Sequence, residues 1–416
     1  MSMARRVVIT SVSVISSLGA SPAEIIAHLR QDRTAFARSP VDEDIVVCPV
    51  RKFDVRDYTG PCKGRRYLNR GAQFSVAAAL RAVKDAGIAP DSLQKAGLFV
   101  GAGPNLDIGG EFPEIRGGAM DRQDLMALWI LRFLPNTAAA VTADLLGIHG
   151  ENLTVGGACA ASLHAMGEAF RKIKDGYLDV ALTGGGDSRL HPGGVLAYKK
   201  ARALSRHTGA PDSASRPFDE ERDGFVPGEG GAFFLLEELE HVRCRGGRIL
   251  GEICGFGSTF GGGGMTAPDP EGKHEAEAVR KAMAEASLAP SQIDVVSAHG
   301  TGTQLNDRME AALIARIFGS GNPAPFPGGG DKPFVIAIKS WIGHIAAACG
   351  AVELAIALAC LADNYLPPIR NLHKPCRPDI NFVREGTSCS PRTLLMENFG
   401  FGGQNCALVV KNGDAK

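Results

Sequence analysis

Residues 153–174 read LTVGGACAASLHAMGEAFRKIK. Leu153–Gly156 is a short run with β-branched residues, and Ser162–Lys174 places small and apolar residues at helical spacing. The pattern predicts a strand and a helix joined by a sharp turn that Gly156 and Gly157 permit. A strand running straight into a helix is the building unit of α/β folds. The same alternation continues outward in both directions. Strands are predicted at Arg6–Thr10, Gly97–Gly101, Asp179–Thr183 and Ala232–Glu237, then at Ile249–Gly257, Asp294–Ala298, Phe334–Ile338 and Cys406–Val410. Helices are predicted over Ala72–Ala86, Asp121–Phe133, His274–Ser287, Arg308–Phe318 and Gly343–Ala362, and a helix start at Ser21-Pro22-Ala23-Glu24. The expectation is an α/β protein with mainly parallel, buried strands. Ser205–Ser215 is expected to be a surface loop.

An internal echo points to duplication. Ala158-Cys159-Ala160-Ala161-Ser162 opens one helix, and Gly343-His344-Ile345-Ala346-Ala347 opens another, each after a strand. Each half would then present a reactive side chain at a helix N-terminus.

Composition narrows the function classes. The 416 residues hold 45 basic and 45 acidic side chains, which argues against a dedicated nucleic-acid binder. No uninterrupted apolar run is long enough to span a membrane. The apolar N-terminal stretch is broken by Thr10, Ser11 and Ser13 and reads as a strand rather than a signal peptide. The ten cysteines include no CxxC pair, so they read as reduced thiols in the cytoplasm rather than a disulfide or zinc framework. Glycine is in surplus at 52 residues, against roughly 7% on average. The glycines fit neither GxGxxG nor GxxxxGK[ST], so a nucleotide site is not expected from them.

Four segments carry chemistry. Cys159, uncrowded at a helix N-terminus, is placed to be a thiolate nucleophile, although most free cysteines are buried and inert. His299 ends an apolar strand in His299-Gly300-Thr301-Gly302-Thr303, where parallel sheets bind ligands, and Asp307 and Glu310 follow. Lys339 and His344 flank a second strand-to-helix junction, with Glu353 as a natural partner for a lysine in apolar surroundings. Gly400-Phe401-Gly402-Gly403 is a loop that can swing a ring and aim backbone N–H groups at an oxyanion. A nucleophile, two hydrogen-bonding imidazoles, an orienting lysine and an oxyanion cradle suit acyl transfer onto sulfur followed by enolate chemistry.

These residues resemble those of the β-ketoacyl-acyl carrier protein synthases of the thiolase-fold superfamily, in their elongating type II and type II polyketide forms. The match includes Gly157–Ser162, Arg216-Pro217-Phe218-Asp219, Gly228-Glu229-Gly230, His299–Thr303, Lys339-Ser340 with Gly343-His344, and Asn398–Gly403. The resemblance implies a five-layered αβαβα fold of two pseudo-duplicated halves, residues 1–245 with the cysteine and 246–416 with the histidines and lysine. It implies that Cys159 accepts an acyl chain from carrier-protein phosphopantetheine. His299 and His344 would assist decarboxylation of a malonyl thioester, and Lys339 with Glu353 would orient the site. The backbone of Cys159 and Phe401 would form the oxyanion hole, Phe401 would gate the pocket, and Thr301 and Thr303 would touch the phosphopantetheine. Asp307 and Glu310 would lend support. No metal or redox cofactor is implied. The implied partners are an acyl carrier protein, docked on Lys63, Arg65, Arg66 and Arg70, and a second subunit in a homodimer or heterodimer. A catalytically silent chain-length-factor-like subunit, or a Cys/His acyltransferase or hydrolase, remains as an alternative. Departures from the family pattern fall at Gly157, Gln304-Leu305-Asn306, Pro104-Asn105 and Gly261–Gly264, and point to a specialised substrate.

Overall fold

The computed structural model describes residues 5–106, 127–261, 264–319 and 332–413. Ten strands form one sheet. They are β1 (Val7–Ile15), β2 (Gly97–Gly101), β3 (Asn152–Val155), β4 (Val180–Ser188) and β5 (Glu229–Glu238), then β6 (Gly251–Phe260), β7 (Val295–Ser297), β8 (Phe334–Ile336), β9 (Thr393–Phe399) and β10 (Gln404–Asn412). The order is β3-β2-β4-β5-β1-β6-β10-β9-β7-β8. The first five strands and the last five therefore repeat one order, third-second-fourth-fifth-first, and their edges join where Val7, Val8 and Ile9 face Ile253, Glu252 and Gly251.

The strands are not mainly parallel. The outer pairs of each half are parallel, but β4–β5, β5–β1, β1–β6, β6–β10 and β10–β9 are antiparallel. An uninterrupted apolar run reports burial on both faces, not direction. Here helices cover both faces of an antiparallel centre.

Among the described residues, the helices of nine residues or more are α1 (Pro22–Arg30), α2 (Arg70–Ala86), α3 (Thr137–Leu146), α4 (Ala161–Lys174), α5 (Pro192–Lys200), α6 (Lys273–Glu285), α7 (Gln304–Phe318) and α8 (Cys349–Ala362). The predicted start of α1 is a capping box in which Ser21 and Glu24 each accept the other's backbone N–H. α2 covers the first half of the sheet with α3 against it, and α6 covers the second half with α7 against it. α4 and α8 pack on each other and on strands of both halves. The two five-stranded halves of the sheet thus lie on either side of α4 and α8, which gives five layers, αβαβα. α8 is apolar all round and buried along nearly its whole length, as a helix in a middle layer must be.

Three expectations change. β9 was not foreseen, because Glu397 and Asn398 interrupt its apolar run, yet both are fully buried. The predicted helix Asp121–Phe133 lies partly outside the described residues, and its described remainder forms only a 3-10 turn, Trp129–Arg132. The helix predicted from Gly343 begins at Cys349, since Gly343 at φ 69° and Ala346 at φ 45° turn the chain out of helical geometry.

Both central helices are entered through the same elbow. A 3-10 turn, Ala158–Ala160 or Ala346–Ala348, precedes each, and Ala158 and Ala346 both sit at φ 45°. Left-handed geometry at alanine costs roughly 1 kcal/mol or more, so the surrounding packing imposes it. The glycines before Cys159 do not supply the positive φ. The echo also shifts: the counterpart of Cys159 is Ala347, and His344 lies three residues earlier.

β2 passes so close to the first elbow that a Cβ on Gly101 would fall 2.3 Å from the Ser162 nitrogen. Gly101→Ala is expected to destabilise the protein by about 3 kcal/mol in urea unfolding. A change below about 0.5 kcal/mol would mean that this approach is not tight.

Candidate active site

The ends of β7 and β9, the two elbows and α7 converge on one cavity of about 320 Å³. Cys159, His299, His344, Thr301, Thr303 and Phe401 line it. Lys339 and Glu353 are buried behind the histidines, with Nζ 2.6 Å from Oε1.

The two imidazoles are fixed through their Nδ1 atoms. At His299 the Lys339 ammonium lies 3.2 Å and the Asn398 amide 3.3 Å from Nδ1. At His344 the Ala346 N–H donates to Nδ1 over 3.0 Å, and the Cys349 thiol lies 3.7 Å away. Each Nδ1 is therefore an acceptor, which leaves the proton on Nε2. The rings stand 5.9 Å apart and nearly perpendicular. Burial, then the Lys339 charge, holds His344 down at about 3, and burial, Lys339 and His344 hold His299 well below the usual imidazole range. Both rings are neutral Nε2–H donors near pH 7.

Burial pulls Lys339 down, but Glu353, Cys349 and Glu310 around it keep it above the ordinary lysine value. It also donates to the His299 carbonyl over 2.7 Å. Asn398 ties His299 to Glu353, with 3.4 Å to Oε2. Among the described residues, Asn398 is a member of this cluster whose role sequence reasoning missed. Its place directly before Phe399-Gly400-Phe401 was the available signal.

The loop 299–303 is wrapped around two carboxylates from the first turns of α7. Glu310 accepts the N–H of His299 (2.5 Å) and of Gly300 (2.8 Å). Asp307 accepts the N–H of Thr301 (3.1 Å), Gly302 (3.1 Å) and Phe218 (2.7 Å). Thr301 and Thr303 share a hydroxyl hydrogen bond of 2.9 Å at the cavity wall.

Cys159 differs from expectation. The helix N-terminus does not make it a resting thiolate: burial pushes the thiol up to about 11, against the opposing pull of Lys339 and the Phe401 N–H. Phe401 itself is half-exposed. Its loop is tied to the segment at Gly261–Gly264, of which Gly262 and Gly263 lie outside the described residues. Gly261 N–H donates to Gly403 O (2.9 Å) and Gly402 N–H to Met265 O (2.8 Å).

The basic cluster does not join this cavity. Lys63, Arg65 and Arg66 lie on a 3-10 turn, with Lys63 and Arg66 exposed. Arg70 is half-buried: it pairs with Glu229 at 3.1 Å, donates to Val50 O and stacks on Phe53 and Phe74, with about 34% of its side chain exposed.

Comparison with known proteins agrees with this geometry. Residues 4–242 match the model of the β-ketoacyl synthase N-terminal domain and residues 250–373 that of the C-terminal domain. A 3-oxoacyl-[acyl-carrier-protein] synthase 2 of Coxiella burnetii is 33% identical over 98% of both chains. A putative polyketide β-ketoacyl synthase 1 of Streptomyces halstedii is 34% identical over 98% of both. A solved β-ketoacyl synthase from Burkholderia phymatum superposes with a TM-score of 0.87 at 30% identity, covering 98% of this chain and 99% of that one. The chain belongs to the β-ketoacyl synthase family.

Two outcomes follow from the buried charges. Alkylation of Cys159 by iodoacetamide is expected to accelerate with pH through pH 9 and beyond; a plateau near pH 7 would reveal a resting thiolate instead. The second concerns Glu310, raised to about 7 by burial and the Asp307 charge, and Glu397, raised well above the carboxylate range by burial and Glu310. Glu310 loses its proton as pH rises through about 7, and the stability that this proton contributes is lost with it, while Glu397 stays protonated. Glu310→Gln removes that titration, so relative to the parent it should be about 1 kcal/mol more favourable at pH 8 than at pH 5. Equal effects at both pH values in urea unfolding would contradict this.

Proposed function

We propose that the chain catalyses decarboxylative Claisen condensation of an acyl thioester held on Cys159 with a malonyl thioester, giving a β-ketoacyl thioester in fatty acid or polyketide biosynthesis. The observation that carries this is the pair of neutral Nε2–H imidazoles beside the only cysteine on the cavity wall among the described residues. In the first half-reaction the Cys159 sulfur attacks the acyl carbonyl, and its proton ends on the departing phosphopantetheine thiol. In the second, the malonyl C–C bond breaks, CO2 leaves and its electron pair moves onto the thioester oxygen. His299 and His344 donate to that oxygen, where each preorganised donor is worth roughly 10²–10³ in rate. The enolate carbon attacks the Cys159 thioester and the sulfur departs as thiolate.

The elbow geometry supports the oxyanion hole. Ala347, the counterpart of Cys159, gives its N–H to a carboxylate oxygen, Asp187 Oδ2, at 3.1 Å. The Cys159 N–H, with that of Phe401, is read as serving the substrate oxyanion in the same way. Thr301 and Thr303 are read as phosphopantetheine contacts and Lys339–Glu353 as the orienting pair. We divide the halves at residues 245 and 246.

The partner would be an acyl carrier protein, as in a solved type II polyketide ketosynthase complex of TM-score 0.84 and 26% identity whose partner is its acyl-carrier protein. Lys63, Arg65, Arg66 and the half-buried Arg70 are read as docking residues. The free outer edge of β3, exposed at Asn152 and Leu153, would pair with a second copy or a related subunit. A thiol that must accept acyl groups needs a reducing compartment, which suits the cytoplasm.

Intact-mass analysis with acyl and malonyl carrier protein tests this. A Cys159 adduct absent in Cys159→Ala, followed by chain growth, is expected. His299→Ala and His344→Ala should each slow malonyl decarboxylation by roughly 10²–10³. An adduct without growth would indicate a simple acyltransferase, and no adduct a silent subunit.

A further inference from the structure

A second thiol, Cys349, is buried behind the histidines, and the condensation as written does not use it. Cys349 opens α8 and is fully buried, and among the described residues it does not line the Cys159 cavity. Its Sγ lies 3.7 Å from His344 Nδ1. Burial, against the opposing pull of Lys339, holds this thiol well above its ordinary value. Near pH 7 it keeps its proton, so it is a hydrogen-bond donor and not a nucleophile.

The two imidazoles are served alike. Each Nδ1 faces two donors: the Lys339 ammonium and the Asn398 amide at His299, the Ala346 N–H and the Cys349 thiol at His344. In each pair one donor also reaches the Glu353 carboxylate. Asn398 Nδ2 lies 3.4 Å from Glu353 Oε2. Cys349 precedes Glu353 by four residues on α8, the spacing that sets two helical side chains side by side. Burial raises the Glu353 carboxyl, and the Lys339 charge with hydrogen bonds from Lys339, Asn398 and Cys349 opposes that rise. Glu353 is thus joined to His299 through Asn398 and to His344 through Cys349.

Such a thiol acts on His344 in two ways. The Phe225 ring covers one face of the imidazole, at 4.7 Å between centroids and 33° between planes, so contacts at the ring edge are left to set its rotation. One of these comes from Ala346, which itself sits at a strained φ of 45°. The other comes from Cys349, carried on the rigid start of α8. A donor at Nδ1 also draws electron density from the ring, which polarises Nε2–H and strengthens it as a donor.

We propose that Cys349 is a positioning residue for His344, its thiol holding Nδ1 so that Nε2–H points at the oxygen of the forming enolate. Cys349 touches no substrate and neither forms nor breaks a bond. Its effect falls on the half-reaction that breaks the malonyl C–C bond, where His344 donates, rather than on acyl transfer to Cys159. This rests on the condensing function proposed above.

The test measures both half-reactions in the full chain. Loading of Cys159 from acyl carrier protein is followed by intact mass, and decarboxylation of malonyl carrier protein by release of CO2. A hydrogen bond to Nδ1, even from a weak thiol donor, is worth roughly threefold or more in rate. Cys349→Ala should slow decarboxylation at saturating malonyl carrier protein by that factor relative to loading, with KM for malonyl carrier protein unchanged. In histidine-labelled protein the nitrogen-15 resonance of His344 Nδ1 should move toward that of an imidazole nitrogen with fewer donors, while that of His299 Nδ1 stays in place. Cys349→Val fills the space of the thiol without a donor, so the same loss there assigns the effect to the hydrogen bond rather than to packing. The proposal is overturned if either variant decarboxylates at the parental rate, if loading and decarboxylation fall together, or if the His344 Nδ1 resonance does not move. Should C349A fail to fold by circular dichroism, C349V decides by the same readings. A parent that neither loads nor decarboxylates overturns the condensing function itself, and the proposal falls with it.

Discussion

The Lys339 ammonium is the constraint on which the site depends. It is buried where both halves of the molecule meet, and a charge there survives only with a carboxylate at contact distance and further acceptors around it. Glu353 supplies the first from the middle-layer helix α8. The His299 carbonyl supplies one of the second, from the loop after β7. Meeting the needs of one cation thus fixes the helix, the loop and a ring relative to one another. Burial first, and then this cation, keeps both imidazoles neutral.

The duplicated architecture explains how the two halves divide the work. Both central helices begin at an elbow with the same left-handed alanine, so both present backbone N–H groups at a helix start. In one half the elbow carries Cys159. In the other, its counterpart Ala347 binds Asp187, and the reactive side chain has moved three residues back to His344. One half offers a cysteine thiol and the other has filled its equivalent place with an internal carboxylate. That carboxylate also pairs with Arg189 at 2.9 Å, so the second elbow is tied to the end of β4.

Much of the site was legible because its residues sit at strand ends and helix starts, which glycine and small residues punctuate. Cys159, His299, Lys339, His344 and Phe401 could each be named from such punctuation, and the family resemblance gathered them. Asn398 was harder, since a polar residue inside an apolar run reads as an interruption rather than a buried member of β9. The ion pair of Arg70 was not legible, because its partner Glu229 is 159 residues away.

The sequence by itself determined the alternation of strands and helices, the candidate nucleophile and the set of groups around it, because these follow from local periodicity and residue type. Strand direction, the protonation state of Cys159 and the fate of Arg70 and Arg189 were decided only by tertiary structure. Direction depends on which strand lies alongside, and ionisation on burial and charges from distant segments. A helix N-terminus favours a thiolate locally, yet packing removes the water that would solvate it, and the desolvation is the larger effect.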